Sequence, residues 1–259
     1  MQDFQPLSST RAKRLKIWCA TLVAGLLLAL GSLLHHVHAE QEASGTALVL
    51  TIDGAIGPAT MDYITRGIRQ AEADGTALVV LEMDTPGGLM DSMRDIIKVI
   101  LSSDVPVATY VSPQGARAAS AGTYILYASH IAAMAPATNL GSATPVQMGG
   151  LPGSPEPEPE PANGDQNEDG KRRGNTAMER KVLEDAVSYI RGLAERHGRN
   201  ADWAEEAVRE AVNLSANAAL EQNVIDVVAP SLGDLLRQID GRTVRMARGD
   251  LVLATSSLA

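Results

Sequence analysis

The feature that most constrains this chain is an alternation of strand and helix patterns that starts at residue 46. Residues 46–52 and 77–83 are mostly apolar runs of the length and β-branched content that buried strands require. Between and after them, residues 58–73 carry Met61, Ile64 and Ile68 at helical spacing, and residues 90–102 carry Met93, Ile96, Ile97 and Ile100 in the same way. A third strand is expected over 106–111, a helix over 119–129 and a short strand over 131–135. Strands separated by helices must cross over, so the pattern predicts an α/β fold with a mostly parallel sheet covered by helices on both sides. Aromatic residues make up only 3% and the single Phe is Phe4, so the core has to be packed from Ala, Val, Leu, Ile and Met.

Residues 147–175 interrupt this order with Gly149 and Gly150, a Pro-Glu repeat over 155–161, further acidic residues, and Lys171, Arg172 and Arg173. Nothing there can bury a core, and the segment is read as an exposed, disordered loop. Helical patterns resume over 176–194 and 201–211. Ser215 opens a short helix, and 224–228 reads as a last strand. One domain over 40–240 accounts for all of this. Residues 241–259 form a tail or terminal hairpin, with Arg248, Gly249 and Asp250 near its turn.

The N-terminus is of another kind. Arg11, Lys13, Arg14 and Lys16 precede an apolar run of 18 residues over 17–34, and Val37, His38 and Ala39 offer small residues before Glu40. Residues 1–39 therefore read as a signal peptide or, because 18 residues is the lower limit for a bilayer span, a retained membrane anchor. Either reading places the rest outside the cytoplasm, exported to the periplasmic or extracytoplasmic side. Cys19 is the only cysteine and lies in this run, so the remainder can build no disulfide, thiolate metal site or cysteine nucleophile. Removing the net +3 of residues 1–39 from the total of −9 leaves −12 for the remainder, which argues against nucleic acid as a partner.

Two short segments have the residues for acyl-transfer chemistry. Ser120 lies among small residues, from Ala118 to Gly122, where a loop enters a helix. Helix N-termini present unpaired N–H groups that can stabilise an oxyanion. On local sequence alone the simpler reading, a helix N-cap, is the better one. The second segment, Asp84, Thr85, Pro86, Gly87 and Gly88, follows a strand end. The Gly88 and Ala121 N–H groups together would make a two-donor oxyanion hole, although taken alone the segment is better read as a plain Pro-Gly turn joining strand to helix.

A serine nucleophile needs a base, and beyond the N-terminal segment the histidines are His130 and His197 and the lysines Lys98, Lys171 and Lys181. His130 lies at the far end of the helix opened by Ser120, about 15 Å away at helical rise. His197 reads as an exposed imidazole at a helix C-terminus, Lys98 as an outward helix residue, and Lys171 falls in the low-complexity loop. Lys181 remains, on a helix just after that loop. Its alternative reading is a solvated surface lysine, since Glu184 and Asp185 at i+3 and i+4 favour its charged form.

Three blocks taken together, 84–89, 118–124 and 134–141, resemble the protease domain of NfeD-family (stomatin-specific) membrane proteases. The similarity continues through 181–194, His197 to Asn200, and the helix with Glu205 and Glu206, covering about residues 46–230 without the acidic loop. The resemblance implies a ClpP/crotonase-like spiral fold and a serine protease with a Ser-Lys dyad, Ser120 and Lys181 falling on the family's matching positions, with Gly88 and Ala121 at the oxyanion hole. No histidine occurs in 140–145, where ClpP-type peptidases carry theirs, which fits a lysine dyad. The implied substrates are apolar segments of membrane-associated, stomatin-like proteins, the implied state a homodimer or higher homo-oligomer at a membrane. No metal or cofactor is needed. Two other readings stand beside this one: a non-enzymatic assembly factor for stomatin-like partners, and a crotonase-type acyl-CoA enzyme, which export from coenzyme A pools disfavours.

Overall fold

The computed structural model describes residues 45–146 and 176–258. The expected N-terminal signal or anchor (1–39) and acidic loop (147–175) lie outside the described residues. Among the described residues no helix is long and apolar enough to cross a membrane.

Five strands form the central sheet: β1 (Ala47–Asp53), β2 (Leu78–Asp84), β3 (Val107–Val111), β5 (Ile131–Met134) and β8 (Val227–Val228). Their spatial order is β1-β2-β3-β5-β8 and every neighbouring pair is parallel. The crossovers are α1 (Pro58–Asp74), α2 (Met90–Ser102) and α3 (Ala121–Ala128), followed by α4 (Ala177–His197), α5 (Ala201–Arg209) and α6 (Ala216–Glu221). All six pack their apolar residues on one face of the sheet, where Val79, Leu81 and Met83 of β2 meet Ile64, Ile97, Ile125, Ile190 and Val208. On the other face, Leu78 and Val80 meet Leu235 and Ile239 of α7 (Leu232–Ile239), and Val244 and Met246 of a terminal hairpin formed by β9 (Thr243–Met246) and β10 (Gly249–Val252). Alternation along β2 sends successive side chains to opposite faces, which is why each run of apolar residues feeds both cores.

Local chemistry sets the helix ends. Pro58 opens α1, and Gly75 closes it in the left-handed conformation (φ 67°), its N–H reaching Ala71 O and Glu72 O. Thr176 and Glu179 form a capping box at the start of α4.

Several expectations are adjusted. The helix expected over 119–129 is preceded by a short strand, β4 (Arg117–Ala119), which pairs with β6 (Asn139–Gly141), and β6 pairs in turn with β7 (Asn213–Ser215). The strand expected over 224–228 shortens to two residues because Val224 and Ile225 turn into the core and the Asp226 carboxylate accepts the Ala132 N–H (2.7 Å). α7, unanticipated, is capped by Ser231, whose hydroxyl accepts the Asp234 N–H. His197 is not exposed: its ring stands edge-on to buried His130 at 5.9 Å between centroids. His130 Nδ1 accepts the Val107 N–H (3.0 Å), which fixes that ring on the sheet.

Candidate active site

β4 brings the two candidate segments together. Thr85 bridges Ala118: its N–H donates to Arg117 O (2.8 Å) and its carbonyl accepts from Ala119 N–H (3.1 Å). The Asp84 carboxylate accepts the Arg117 N–H (3.0 Å), so the turn after β2 runs alongside the strand leading to Ser120. On its far side the same turn is tied to Ile56, whose N–H donates to Gly87 O and whose carbonyl accepts from Leu89 N–H, both at 2.8 Å.

Ser120 sits between β4 and α3 at φ 52°, ψ −116°, a sparsely populated backbone region for a residue with a Cβ. A capping serine is extended and accepts a helix N–H, whereas the Ser120 side chain makes no cap hydrogen bond. The N-cap reading of this residue is thereby set aside. What holds the conformation is the surroundings: the Ser120 N–H donates to Gly141 O (2.9 Å), and Thr123 Oγ1 lies 2.8 Å from Ala118 O and 3.0 Å from Gly141 O while accepting the Gly141 N–H. Strain at one position persists only when neighbours over-determine it, and active sites are where that is most often found.

Two glycines are required by this packing. A Cβ on Gly87, whose φ is 111°, would stand 2.6 Å from Ser120 Cβ and 3.0 Å from Ser120 Oγ. A Cβ on Gly88 would stand 2.0 Å from Ile56 O. Among the described residues the N–H groups of Gly88 and Ala121 have no hydrogen-bond acceptor. Both residues line the same groove as Ser120, about 360 Å³ in volume, with Leu89, Met90, Met93, Tyr124 and Pro145 among its walls. Leu89 and Val146, at its rim, are exposed large apolar side chains. An apolar channel past a hydroxyl and two unpaired donors can bind an extended apolar segment and stabilise charge on an attacked carbonyl oxygen.

Lys181 is not among the residues lining this groove; it is exposed on the first turns of α4. The carboxylates expected to pair with it are turned elsewhere. Glu184 makes a two-pronged contact to Arg209 on α5 (2.8 Å to each oxygen), and Asp185 pairs with Arg94 on α2. Arg94 also lies 4.3 Å from the centre of the Tyr189 ring, which stacks on Tyr124 of the groove wall at 6.2 Å. Burial pushes the Tyr124 phenol well above its ordinary pKa, so it keeps its proton and donates to Ala143 O (3.2 Å). The helix with Lys181 is thus anchored to the groove wall one turn beyond the lysine.

Among the described residues no group of three or more His, Cys, Asp or Glu is placed to hold a metal. Lys98 is exposed and pairs with Asp95, as an outward residue should. Sequence reasoning assigned no role to Thr85, Thr123 or Gly141, although all three lie in the blocks it singled out. The polar character of a threonine at full burial is visible only once Ala118, Ser120 and Gly141 are brought together.

Residues 46–154 match the family described as NfeD1b, N-terminal domain. The membrane-bound protease PH1510 of Pyrococcus horikoshii is 36% identical over 208 residues, spanning 79% of this chain and 42% of that protein. The membrane protein NfeD1b of Bacillus subtilis is 32% identical over 131 residues, 50% of this chain and 28% of that protein. The chain therefore spans less than half the length of the curated relatives it matches. Among solved structures, a serine-to-alanine mutant of the 1510-N membrane-bound stomatin-specific protease superposes with a TM-score of 0.70 at 34% identity, covering 83% of this chain and 95% of that one. A lysine-to-alanine mutant of the same protease in complex with a substrate peptide gives 0.70 at 32% identity, covering 84% and 91%.

Proposed function

The chain belongs to the NfeD family and has its ClpP-like α/β domain, and from that premise we propose that it is a serine endopeptidase working with a Ser-Lys dyad. Ser120 attacks the scissile carbonyl, Lys181 takes its proton and returns it to the leaving amine, a water deprotonated by Lys181 then cleaves the Ser120 ester and restores the hydroxyl, and the Gly88 and Ala121 N–H groups hold the oxyanion in both steps. The substrates are apolar segments of membrane-associated proteins, stomatin-like ones among them, met on the extracytoplasmic side of a membrane. The observation that carries this reading is Ser120 itself: a strained serine whose side chain caps nothing, lining one apolar groove with Gly88 and Ala121, whose N–H groups have no acceptor among the described residues.

The exposed position of Lys181 gives the mechanism a requirement. The first turns of α4 must carry the amine to Ser120 when substrate fills the groove, while Arg94, Asp185 and Tyr189 hold the next turn in place. Covalent labelling by a fluorophosphonate, blocked by an apolar peptide that the protein also cleaves, tests the proposal. Absence of both labelling and cleavage removes it.

Two substitutions probe the geometry. Gly87→Ala adds a methyl against Ser120 at a positive φ; it is expected to cost about 1–3 kcal/mol of stability and to lower peptide hydrolysis about 100-fold by displacing the nucleophile. Hydrolysis at the wild-type rate by the folded variant would show that Ser120 tolerates the shift. Arg94→Ala frees the turn of α4 after Lys181 and is expected to cost only about 1 kcal/mol, since Asp185 is largely exposed. Its kcat should nevertheless fall more than stability accounts for, while fluorophosphonate still labels Ser120. An unchanged kcat would mean that the Arg94 contacts do not position the lysine.

A further inference from the structure

A second pocket of about 360 Å³ opens on the face of the sheet opposite the groove, at the carboxyl ends of the central strands. Glu82, Tyr110, Ser112, Gln114, Pro230 and Leu232 line it. Glu82 alternates along β2 with Leu78 and Val80, which belong to the core under α7, and so points away from Met83 and the Ser120 side. The carboxyl ends of parallel strands are where α/β proteins place ligands, because loops diverge there and leave a crevice.

The chemistry of the pocket is one-sided. Glu82 is half-buried, pairs with no cation among the described residues, and has as its one hydrogen-bond donor the Ser112 hydroxyl at 3.4 Å. Its neighbour in register on β3, Tyr110, donates its hydroxyl proton to Ala229 O (2.7 Å) and, almost wholly buried, borders the same space. Among the described residues no lysine or arginine lines the pocket. Asp234, at the start of α7, is already matched by Arg237 and Ser231. A half-buried carboxylate without a counter-cation is costly, and it is retained where something supplies the missing charge.

We propose that this pocket is a binding site for an alkyl ammonium or guanidinium group, of the kind a lysine or arginine side chain presents, seated on Glu82 and against the Tyr110 ring between Pro113, Pro230 and Leu232. The carboxylate supplies a charge-assisted hydrogen bond, and the apolar walls accept the methylene stem. The upward displacement of the Tyr110 phenol, caused first by burial and then by the Glu82 and Asp234 charges, agrees with an uncompensated negative field there. This site is independent of the peptidase proposal and stands or falls without it.

The test is an NMR titration of the whole chain with acetyl-lysine amide, acetyl-arginine amide, butylammonium and the uncharged acetyl-norleucine amide, following the Ser112 amide and the Tyr110 ring. Saturable shifts are expected with the cationic probes and not with norleucine. Glu82→Gln, close to isosteric, should weaken binding at least about tenfold. Gln114→Arg, on an exposed position, should abolish it by supplying an internal cation, and it keeps the test open should Glu82→Gln fold poorly. Tighter binding of the amino-acid amides than of butylammonium assigns the site to a basic side chain of a protein ligand, and equal binding assigns it to a free amine. Equal response to norleucine, no saturation with any cation, or undiminished binding in Gln114→Arg overturns the proposal.

Discussion

Ser120→Ala is expected to abolish hydrolysis of an apolar peptide, a loss on the order of 10⁴ to 10⁶ in kcat, while leaving the unfolding midpoint almost unmoved. The hydroxyl caps nothing, and the backbone contacts that hold residue 120 run through its N–H and its neighbours, so alanine removes the reacting oxygen and little else. Lys181→Ala should be as severe, and the double variant little worse than either, because members of one catalytic unit do not add. Neither Glu184 nor Asp185 stands in the way of Lys181, since Arg209 and Arg94 take their carboxylates. The lysine is therefore an exposed side chain one turn before the contact of Asp185 with Arg94. Lys171→Ala, in the stretch outside the described residues, should stay near wild type. Measuring peptide hydrolysis by the four variants decides it. Activity retained in Ser120→Ala ends the serine-protease reading, and an active Lys181→Ala beside a dead Lys171→Ala moves the base into the loop.

What the sequence made legible depended on how locally each element is specified. α2 spans residues 90–102 as its pattern predicts, because Met93, Ile96, Ile97 and Ile100 repeat on one face and all four are buried. β1 and β2 fall within one residue of their expected bounds: β2, inside the sheet, is buried on both faces along Leu78–Leu81, and β1, at the sheet edge and partly exposed, still keeps a run rich in apolar and β-branched residues. β4, β6 and β7 have three residues each, too few to show a period, and exist only because they pair with one another. The site divides along the same line. Ser120, Gly88 and Ala121 could be grouped from the turn chemistry and a resemblance, and the groove holds all three. The strain at Ser120 and the roles of Thr123 and Gly141 depend on contacts across the β4-β6 pair, and no window around residue 120 contains them. His197 was misread for a related reason: the end of a helix is commonly wet, but here His130 and Asp226 come in from distant parts of the chain, Asp226 paired with Arg199 two residues beyond the histidine.

That arrangement makes the fold sensitive to acid. His130 is held down to a pKa of about 4, first by burial and then by Arg196 and Arg199; His197 is held down to about 3, first by burial and then by Arg199, His130 and Arg196, with Asp226 acting weakly the other way. Asp226 is itself committed to Arg199 (2.6 Å), whose second nitrogen donates to Tyr127 O (2.9 Å), so a proton arriving on either ring meets positive charge without a free carboxylate to offset it. Both imidazoles bind protons more weakly in the folded protein than in the unfolded chain, where the ordinary value is about 6.5. The unfolded state takes up protons first as the pH falls, so stability is complete above about 6.5, declines from there through about 4, and stops declining on this account below about 3. The loss should amount to several kcal/mol, less than the two shifts taken separately, because each ring contributes to the shift of the other. Denaturant unfolding at a series of pH values reads it directly. His197→Phe keeps an aromatic ring against His130 and removes one titrating group, so its stability should fall less steeply between pH 6.5 and 4 than that of the wild type. Identical slopes would place the acid sensitivity in the carboxylates instead, and the histidine pair would then be ordinary core.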